Sequence, residues 1–171
     1  MKTTIRIWAL MLAVVAASGA PAAPAAPAVS QVPQFKDYPA TGRYAGKNHP
    51  LVMTQKDRQF RTRLGETATA KPNFAGHYIL GAWSCGAQCM MGAAIDANTG
   101  KVIWLPETVC CWGPDVDDAF DPIEARVDSR LLVLSGVRGQ RIDDDGAHFY
   151  ELRDGKFVYV KSIPKPASPK G

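Results

Sequence analysis

The spacing of the cysteines is the sequence feature that most constrains this chain. All 4 cysteines of the 171-residue sequence lie between Cys85 and Cys111, as a C-x-x-x-C segment followed by an adjacent pair. In an oxidising compartment an even number of closely spaced cysteines forms disulfides, and each disulfide stabilises a small domain by about 2–4 kcal/mol. The pattern therefore predicts a disulfide-stabilised segment if the chain is exported.

The N-terminus predicts export. Lys2 and Arg6 precede an apolar run over residues 7–17, and small residues follow, as in a secretory signal peptide. The run is shorter than the ~20 apolar residues of a membrane-spanning helix, so no integral membrane association is expected after cleavage. The predicted location is periplasmic or secreted. The predicted segments are a signal peptide at 1–22, a Pro/Ala-rich linker at 23–34, a single globular domain at 35–163 and a disordered tail at 164–171.

Charge and composition exclude one class of partner. The formal net charge of the full chain is +4, and cleavage of the signal peptide removes the positive charges of Lys2 and Arg6 without removing an acidic residue. The sequence contains no basic stripe with interleaved aromatic residues, so a nucleic-acid partner is not expected. No cofactor is expected either.

The apolar pattern predicts an α+β domain. Thr54 and Asp57 indicate the start of an amphipathic helix near residues 55–70, with apolar residues at every fourth position from Phe60. Strands are predicted at 77–83, 90–96, 101–105, 123–127, 130–137, 148–150 and 157–160. We expect a mostly antiparallel sheet of about six or seven strands, built from a meander and hairpins, with this one N-terminal helix on one face. A small β-sandwich is the alternative.

The predicted meander brings the cysteines to one end of the sheet. The first strand ends at Cys85, the second begins at Cys89, and the chain leaves the third strand at Pro106 before it reaches Cys110 and Cys111. Because adjacent residues of an extended chain point to opposite sides, we expect two disulfides that join the first two cysteines crosswise to the last two. A Cys85–Cys89 loop closure is the main alternative. A four-thiolate zinc or copper site and a redox-active dithiol are the others.

Two histidines are candidates for catalysis. His77 and His148 each open a predicted strand just before an aromatic residue, and on neighbouring strands they could share a site with Asp96 or Ser84. This arrangement would suit a hydrolase or a metal-dependent enzyme. No nucleophile motif such as G-x-S-x-G accompanies the histidines, so we expect each imidazole to bond a backbone carbonyl at the edge of the sheet instead.

An acidic loop follows the cysteines. Its aspartates are Asp115, Asp117, Asp118 and Asp121. Closely spaced carboxylates can bind calcium, but the EF-hand pattern fails at Ala119, where an oxygen ligand is needed. We therefore predict a solvated loop without a metal.

Large apolar residues surround the cysteines. Trp83, Met90 and Trp112 flank the cysteine segments, and Gln88 lies between Cys85 and Cys89. If these residues are exposed on a loop that disulfides hold in one conformation, they would form a surface for a protein or a cell-envelope ligand. The alternative is that the tryptophans and the methionine cap the core, where such residues are mostly found. The sequence thus predicts a non-catalytic binding module.

Five short segments carry a resemblance to known proteins. They are P-N-F-A-G-H-Y-I-L at 72–80, C-G-x-x-C at 85–89, I-D-x-x-T-G-K-V at 95–102, V-C-C-W at 109–112 and D-S-R-L-L-V-L-S-G at 128–136. Together they resemble a group of small exported bacterial proteins with no assigned function, so this resemblance implies export but no activity. The chain resembles more loosely the periplasmic inhibitors of vertebrate-type lysozyme, whose short disulfide-closed loop enters the active site of the enzyme. The corresponding loop here would be Gly86-Ala87-Gln88.

Overall fold

The computed structural model describes residues 32–112, 116, 119–139 and 141–166. Contacts divide the chain into two units, residues 1–31 and 32–171, and every described residue belongs to the second. The predicted signal peptide, residues 23–31 of the predicted linker and residues 167–171 of the predicted tail lie outside the described residues. Within the described ranges, none of the helices has the length and hydropathy needed to cross a bilayer.

The described chain forms one mostly antiparallel sheet of 8 strands, which confirms the predicted sheet type. The strands are β1 (Tyr78–Gly86), β2 (Cys89–Asp96), β3 (Val102–Trp104), β4 (Val109–Cys110), β5 (Ile123–Ala125), β6 (Leu131–Arg138), β7 (Asp145–Arg153) and β8 (Lys156–Pro164). Their order is β1-β2-β4-β6-β7-β8, with β3 paired to β2 and β5 paired to β6. The strand that the prediction lacked is β4, because two residues are too few to show an alternating pattern. The strands belong to one sheet, so the β-sandwich alternative does not describe this fold.

Strand β6 lies in the interior of the sheet, as its apolar sequence predicts. Leu132 and Leu134 face the core cluster that contains Phe74, whereas Leu131 and Val133 face a second cluster with Phe149. A strand buried on both faces has no polar alternation, because neither set of side chains meets water. In the sheet, β6 pairs along its length with β7 on one side, and with β4 and β5 on the other.

The helix of this region begins later and is shorter than predicted. A 3-10 helix at Asp57–Phe60 continues into α1 at Arg61–Ala68, which replaces the predicted helix of residues 55–70. The sequence of α1 is R-T-R-L-G-E-T-A, and its threonines and glycine have low helix propensity. Leu64 is fully buried and packs in a cluster with Ile79 and Trp83, so tertiary packing holds this short helix on the sheet.

The helix start is held by a carboxylate. The Asp57 side chain accepts hydrogen bonds from the backbone N–H of Thr54 at 2.6 Å, from the Thr54 hydroxyl at 2.7 Å and from Trp104 Nε1 at 2.8 Å. The predicted cap differs in detail, because the threonine hydroxyl donates to the carboxylate and does not cap a backbone N–H. This network joins the start of the helix to β3.

The sheet curls around its main core. Phe74, which precedes β1, stacks on Phe157 of β8 with ring centroids 6.0 Å apart. Strands β1 and β8 are the two ends of the strand order, so this contact requires the outer strands to approach each other. Phe74 is fully buried and lies in the same cluster as Leu132, Leu134 and Tyr150.

Candidate functional site at the cysteine end

All four cysteines line one open cleft of about 490 Å³. Strand β1 supplies Cys85, β2 supplies Cys89, β4 supplies Cys110, and Cys111 follows directly. The other residues of the cleft are Gly86, Ala87, Val137 and Ile142. We call this cleft and its rim the cysteine end.

The disulfide pairing differs from the predicted one. Cys85 is bonded to Cys89, whereas Cys110 and Cys111 are free thiols, so the predicted crosswise pairing is wrong and the loop closure is present. The reason is the hairpin between β1 and β2, which brings the Cα atoms of Cys85 and Cys89 to 5.1 Å, within the usual range for a disulfide.

One free thiol lies beside the disulfide. Cys89 and Cys110 are direct partners in the antiparallel pairing of β2 with β4. The Cys111 N–H donates to the Gln88 carbonyl at 3.0 Å, which makes Cys89 and Cys110 a non-hydrogen-bonded pair. In such pairs the side chains project to the same face with Cβ atoms about 4.5–5.5 Å apart. The Cys110 thiol is therefore a close neighbour of the Cys89 sulfur.

The backbone of the cysteine end has unusual conformations. Gln88 and Cys111 have φ values of 45° and 58°, in the left-handed region that side chains other than glycine seldom adopt. On β6, a Cβ atom at Gly136 would lie 2.6 Å from the Cys110 carbonyl oxygen. Strand β6 can therefore approach β4 closely only because residue 136 has no side chain.

The two free thiols differ in exposure. Cys110 is buried and Cys111 is exposed. A hydrogen bond with Cys111, together with burial, raises the pKa of Cys110 to about 11. Since the thiolate is the reactive form of cysteine, Cys110 reacts slowly with solvent reagents near neutral pH.

The first prediction concerns alkylation. At neutral pH, iodoacetamide should modify Cys111 at least about tenfold faster than Cys110, because Cys110 is both buried and protonated. The rate at Cys110 should increase by about tenfold per pH unit below its pKa, since the thiolate fraction rises by that factor. Peptide mass spectrometry on timed samples measures both rates. Equal rates at the two cysteines would contradict the prediction.

A rigid turn presents an isoleucine at the rim of the cleft. Ile142, between β6 and β7, is 85% exposed. Its turn is held by ion pairs of Asp144 with Arg138 at 2.8 Å and with Arg141 at 3.3 Å, and of Arg141 with Glu107 at 3.1 Å. Burial alone raises the pKa of Asp144, but the two arginines outweigh burial and lower it. The sequence analysis missed Ile142, although a lone isoleucine among the charged residues of R-I-D-D-D was a usable signal.

The predicted binding residues divide between core and surface. Trp83 is buried, with its ring 6.0 Å from that of Phe60 and 5.8 Å from that of Trp104, so it packs in the core. Met90 is half-buried and packs against the main core, as the alternative reading of these residues expects. Gln88 is exposed in the disulfide-closed loop.

The fourth predicted binding residue, Trp112, is half-buried. It lies 5.9 Å from the ring of Phe120 and lines an apolar groove of about 330 Å³. Gly136 and Ile163 line the same groove. Because Gly136 also contacts β4 beside Cys110, this groove adjoins the cysteine end.

The two histidines belong to separate local networks. His77 Nε2 lies 3.8 Å from Asp96 Oδ1, and its ring is 4.3 Å from that of Tyr78. His148 is buried, with Nδ1 2.7 Å from the Ser162 hydroxyl and Nε2 3.0 Å from the Gly136 carbonyl oxygen. A carbonyl can only accept, so His148 donates from Nε2. Within the described chain the structure does not join the two imidazoles in one network.

The acidic loop is described only in part. Asp115, Asp117 and Asp118 lie outside the described residues. Asp121 is exposed, and its carboxylate accepts a hydrogen bond from the Ile123 N–H at 2.9 Å, which starts β5. Among the described residues, no group of three or more histidine, cysteine, aspartate or glutamate side chains is arranged to hold a metal ion.

No family model, curated protein or solved structure matches this chain. The resemblances to the small exported bacterial proteins and to the lysozyme inhibitors therefore stay predictions from sequence. The geometry of the cysteine end carries the functional proposal.

Proposed function

We propose that this chain is an exported, disulfide-stabilised binding module without catalytic activity, and that it binds a protein partner through the cysteine end. The observation that carries this proposal is Ile142, an aliphatic side chain that is 85% exposed on a turn held by ion pairs. It stands at the rim of a cleft of about 490 Å³ beside the disulfide-closed loop.

The chemistry of this surface favours a protein as the partner. Burying an aliphatic side chain against apolar side chains of another protein is strongly favourable, and such anchors dominate many interfaces. A polysaccharide presents mainly hydroxyl groups, which gain little from contact with an isoleucine. Because ion pairs and a disulfide already order the two loops of the cysteine end, binding would cost little conformational entropy.

The roles of the candidate catalytic residues support a non-catalytic function. His148 is buried and hydrogen-bonded through both ring nitrogens, which leaves neither nitrogen for a substrate. Asp96, the partner of His77, accepts hydrogen bonds from Asn98 and Thr99 in the turn between β2 and β3. These contacts are structural, and none of them joins His77 to His148, as the hydrolase alternative would require.

The second prediction tests the binding surface. Replacing Ile142 with glutamate should weaken partner binding at least tenfold, since a charge would replace the apolar anchor at about the centre of the contact. Val158→Glu is the matched control, because Val158 is also an exposed aliphatic residue, 39% exposed on β8. Each variant and the wild-type protein are immobilised, exposed to envelope and secreted proteins of the source cells, and the captured proteins are quantified by mass spectrometry.

The proposal is supported if one protein is captured by the wild type and by Val158→Glu but not by Ile142→Glu. The wild type and both variants should unfold at similar temperatures. The same captured proteins for all three would contradict the proposed surface. Binding to purified peptidoglycan that Ile142→Glu leaves unchanged would contradict a protein partner and favour an envelope polymer.

The resemblance to lysozyme inhibitors is tested with the wild type, Ile142→Glu and one further variant, Gln88→Ala. Inhibition of a vertebrate-type lysozyme that is lost in Gln88→Ala but unchanged in Ile142→Glu would move the binding surface from the turn to the disulfide-closed loop. Export is tested separately, since N-terminal sequencing of the protein from cells should find a mature chain that begins near residue 23.

A further inference from the structure

We propose that Cys85, Cys89 and Cys110 form a thiol–disulfide exchange centre, in which Cys110 can replace Cys85 as the disulfide partner of Cys89. Its ligand class is the disulfides of other molecules. This inference goes beyond the proposed binding function and does not depend on it, because the exchange requires neither Ile142 nor a protein partner.

The geometry supplies two partners for one sulfur. Cys89 is bonded to Cys85, with the Cα atoms 5.1 Å apart across the hairpin. On its other side, Cys89 faces Cys110 directly in the β2–β4 pairing, in the register that brings the two side chains closest. All three cysteines line the same open cleft, and the strand pairing already places Cys110 opposite Cys89, so the exchange does not require rearrangement of the strands.

The exchange is balanced within the chain. The Cys110 thiol loses its proton, and the thiolate attacks the sulfur of Cys89. A Cys89–Cys110 bond forms, the Cys85–Cys89 bond breaks, and the electron pair of the broken bond leaves on the Cys85 sulfur, which takes up a proton. One disulfide and two thiols are present before and after the step, so the step requires no external oxidant or reductant.

The product differs from the starting state in its accessible thiol. In the starting state the exposed free thiol is Cys111, whereas after exchange Cys85 is free as well, and Cys85 is exposed at the end of β1. The exchange also opens the loop that holds Gln88 at a φ of 45°. The Cys85 thiolate can then attack a disulfide of another molecule, which forms a mixed disulfide with Cys85 and releases the other sulfur of that molecule as a thiol.

The ionisable surroundings of Cys110 predict how the exchange depends on pH. On its own segment Cys110 is next to Cys111, and on β6 the neighbouring ionisable residue is Arg138, which is paired with Asp144 and donates to the Tyr150 hydroxyl. On β2 the facing residue is Cys89, which is disulfide-bonded. The hydrogen bond with Cys111 and burial raise the pKa of Cys110 to about 11, so exchange should be slow near neutral pH and faster as pH rises.

The third prediction concerns the relative amounts of the two disulfides, Cys85–Cys89 and Cys89–Cys110. The full chain is exported, purified, fully reduced and equilibrated in a glutathione redox buffer until one disulfide forms per molecule. Free thiols are then trapped by alkylation in acid-quenched denaturant and the disulfides are mapped by mass spectrometry. The wild-type protein should contain Cys85–Cys89 and Cys89–Cys110 within about tenfold of each other, because the closure probabilities of loops with these two spacings differ by about that factor.

Matched serine variants separate the roles of the adjacent cysteines. Cys110→Ser should contain only Cys85–Cys89, whereas Cys111→Ser should contain both disulfides, as the wild type does. Cys85→Ser should form Cys89–Cys110 while its near-ultraviolet circular dichroism stays that of the wild type. This variant tests the proposal even if Cys110→Ser does not fold.

Three results would overturn the proposal. One is a wild-type protein with only Cys85–Cys89 at the one-disulfide stage. Another is a folded Cys85→Ser variant in which both Cys89 and Cys110 are alkylated. The third is a reduced protein that takes up one equivalent of zinc and then forms no disulfide, which would identify the four thiols as a metal site. A failure of the Ile142→Glu capture experiment leaves each of these measurements unchanged.

Discussion

Replacing Asp57 with alanine is expected to lower the free energy of unfolding by about 3 kcal/mol, because a buried hydrogen-bonded charge would be lost. The Asp57 carboxylate is 3% exposed and accepts hydrogen bonds from Thr54 and from Trp104 Nε1. Without it, the Trp104 N–H at β3 and the N–H of Thr54 lose their acceptor. Urea unfolding followed by tryptophan fluorescence measures the change. Asp143→Ala, at an exposed aspartate, is the control and should change stability by less than about 0.5 kcal/mol.

The same carboxylate makes stability depend on acid. Burial alone raises the pKa of Asp57, but the hydrogen bonds from Thr54 and Trp104 outweigh burial and hold the pKa below its ordinary value of 3.8. A group whose pKa is lower in the folded state stabilises the fold above the unfolded-state pKa, and this contribution is lost as the pH falls through the folded-state pKa. Asp57→Asn should therefore reduce the loss of stability below about pH 4. An unchanged acid-unfolding curve, or a loss below 1 kcal/mol for Asp57→Ala, would contradict the assigned role.

Replacing Phe74 with alanine is expected to destabilise the fold by about 4 kcal/mol, since a fully buried aromatic ring would leave a cavity in the main core. The substitution keeps the backbone hydrogen bonds between residue 74 and Tyr78, at 3.0 Å and 2.9 Å, so it tests the side chain alone. It removes the stacking on Phe157, which connects the segment before β1 to β8. Chemical denaturation measures the loss.

Val158→Ala on the exposed side of β8 is the control for Phe74→Ala, and it should change stability by less than about 1 kcal/mol. If Phe74→Ala costs no more than the control, the outer strands do not depend on this contact. The curled sheet would then be stabilised by other contacts of the main core.

The two functional proposals use the same end of the molecule but different atoms. Partner binding depends on the side chain of Ile142 and on the ion pairs that hold its turn, whereas exchange depends on the sulfurs of Cys85, Cys89 and Cys110. Ile142→Glu should therefore leave the disulfide populations unchanged. A substitution that alters both results would show that disulfide state and binding are coupled.

Parts of the fold follow from local sequence alone. The strand predicted at 130–137 forms as Leu131–Arg138, and the Asp154-Gly155 pair forms the turn between β7 and β8. Asp154 and Gly155 have φ values of 50° and 69°, which suits the tight turn that an Asp-Gly pair favours. Such features are predictable because each depends on neighbours in the sequence: an apolar run needs burial on both faces, and a two-residue turn needs positive φ.

The candidate site shows what local sequence could not determine. The disulfide pairing depended on the distance across one hairpin, which is a property of the folded strands, and the sequence pattern alone allowed every pairing of the four cysteines. The exposure of these side chains also depends on residues that are far away in the sequence. Trp83 is buried because Phe60 and Trp104 from distant segments pack on it, and Ile142 is exposed because ion pairs hold its turn away from the core.

The sequence by itself determined the type of sheet, the central strand and the convergence of the cysteines, because periodicity and turn residues act over a few positions. Tertiary structure alone decided which cysteines are bonded, which thiol faces the disulfide and which apolar side chain meets solvent. Each of these depends on contacts between segments far apart in the chain, and such contacts leave no periodic signal in the sequence.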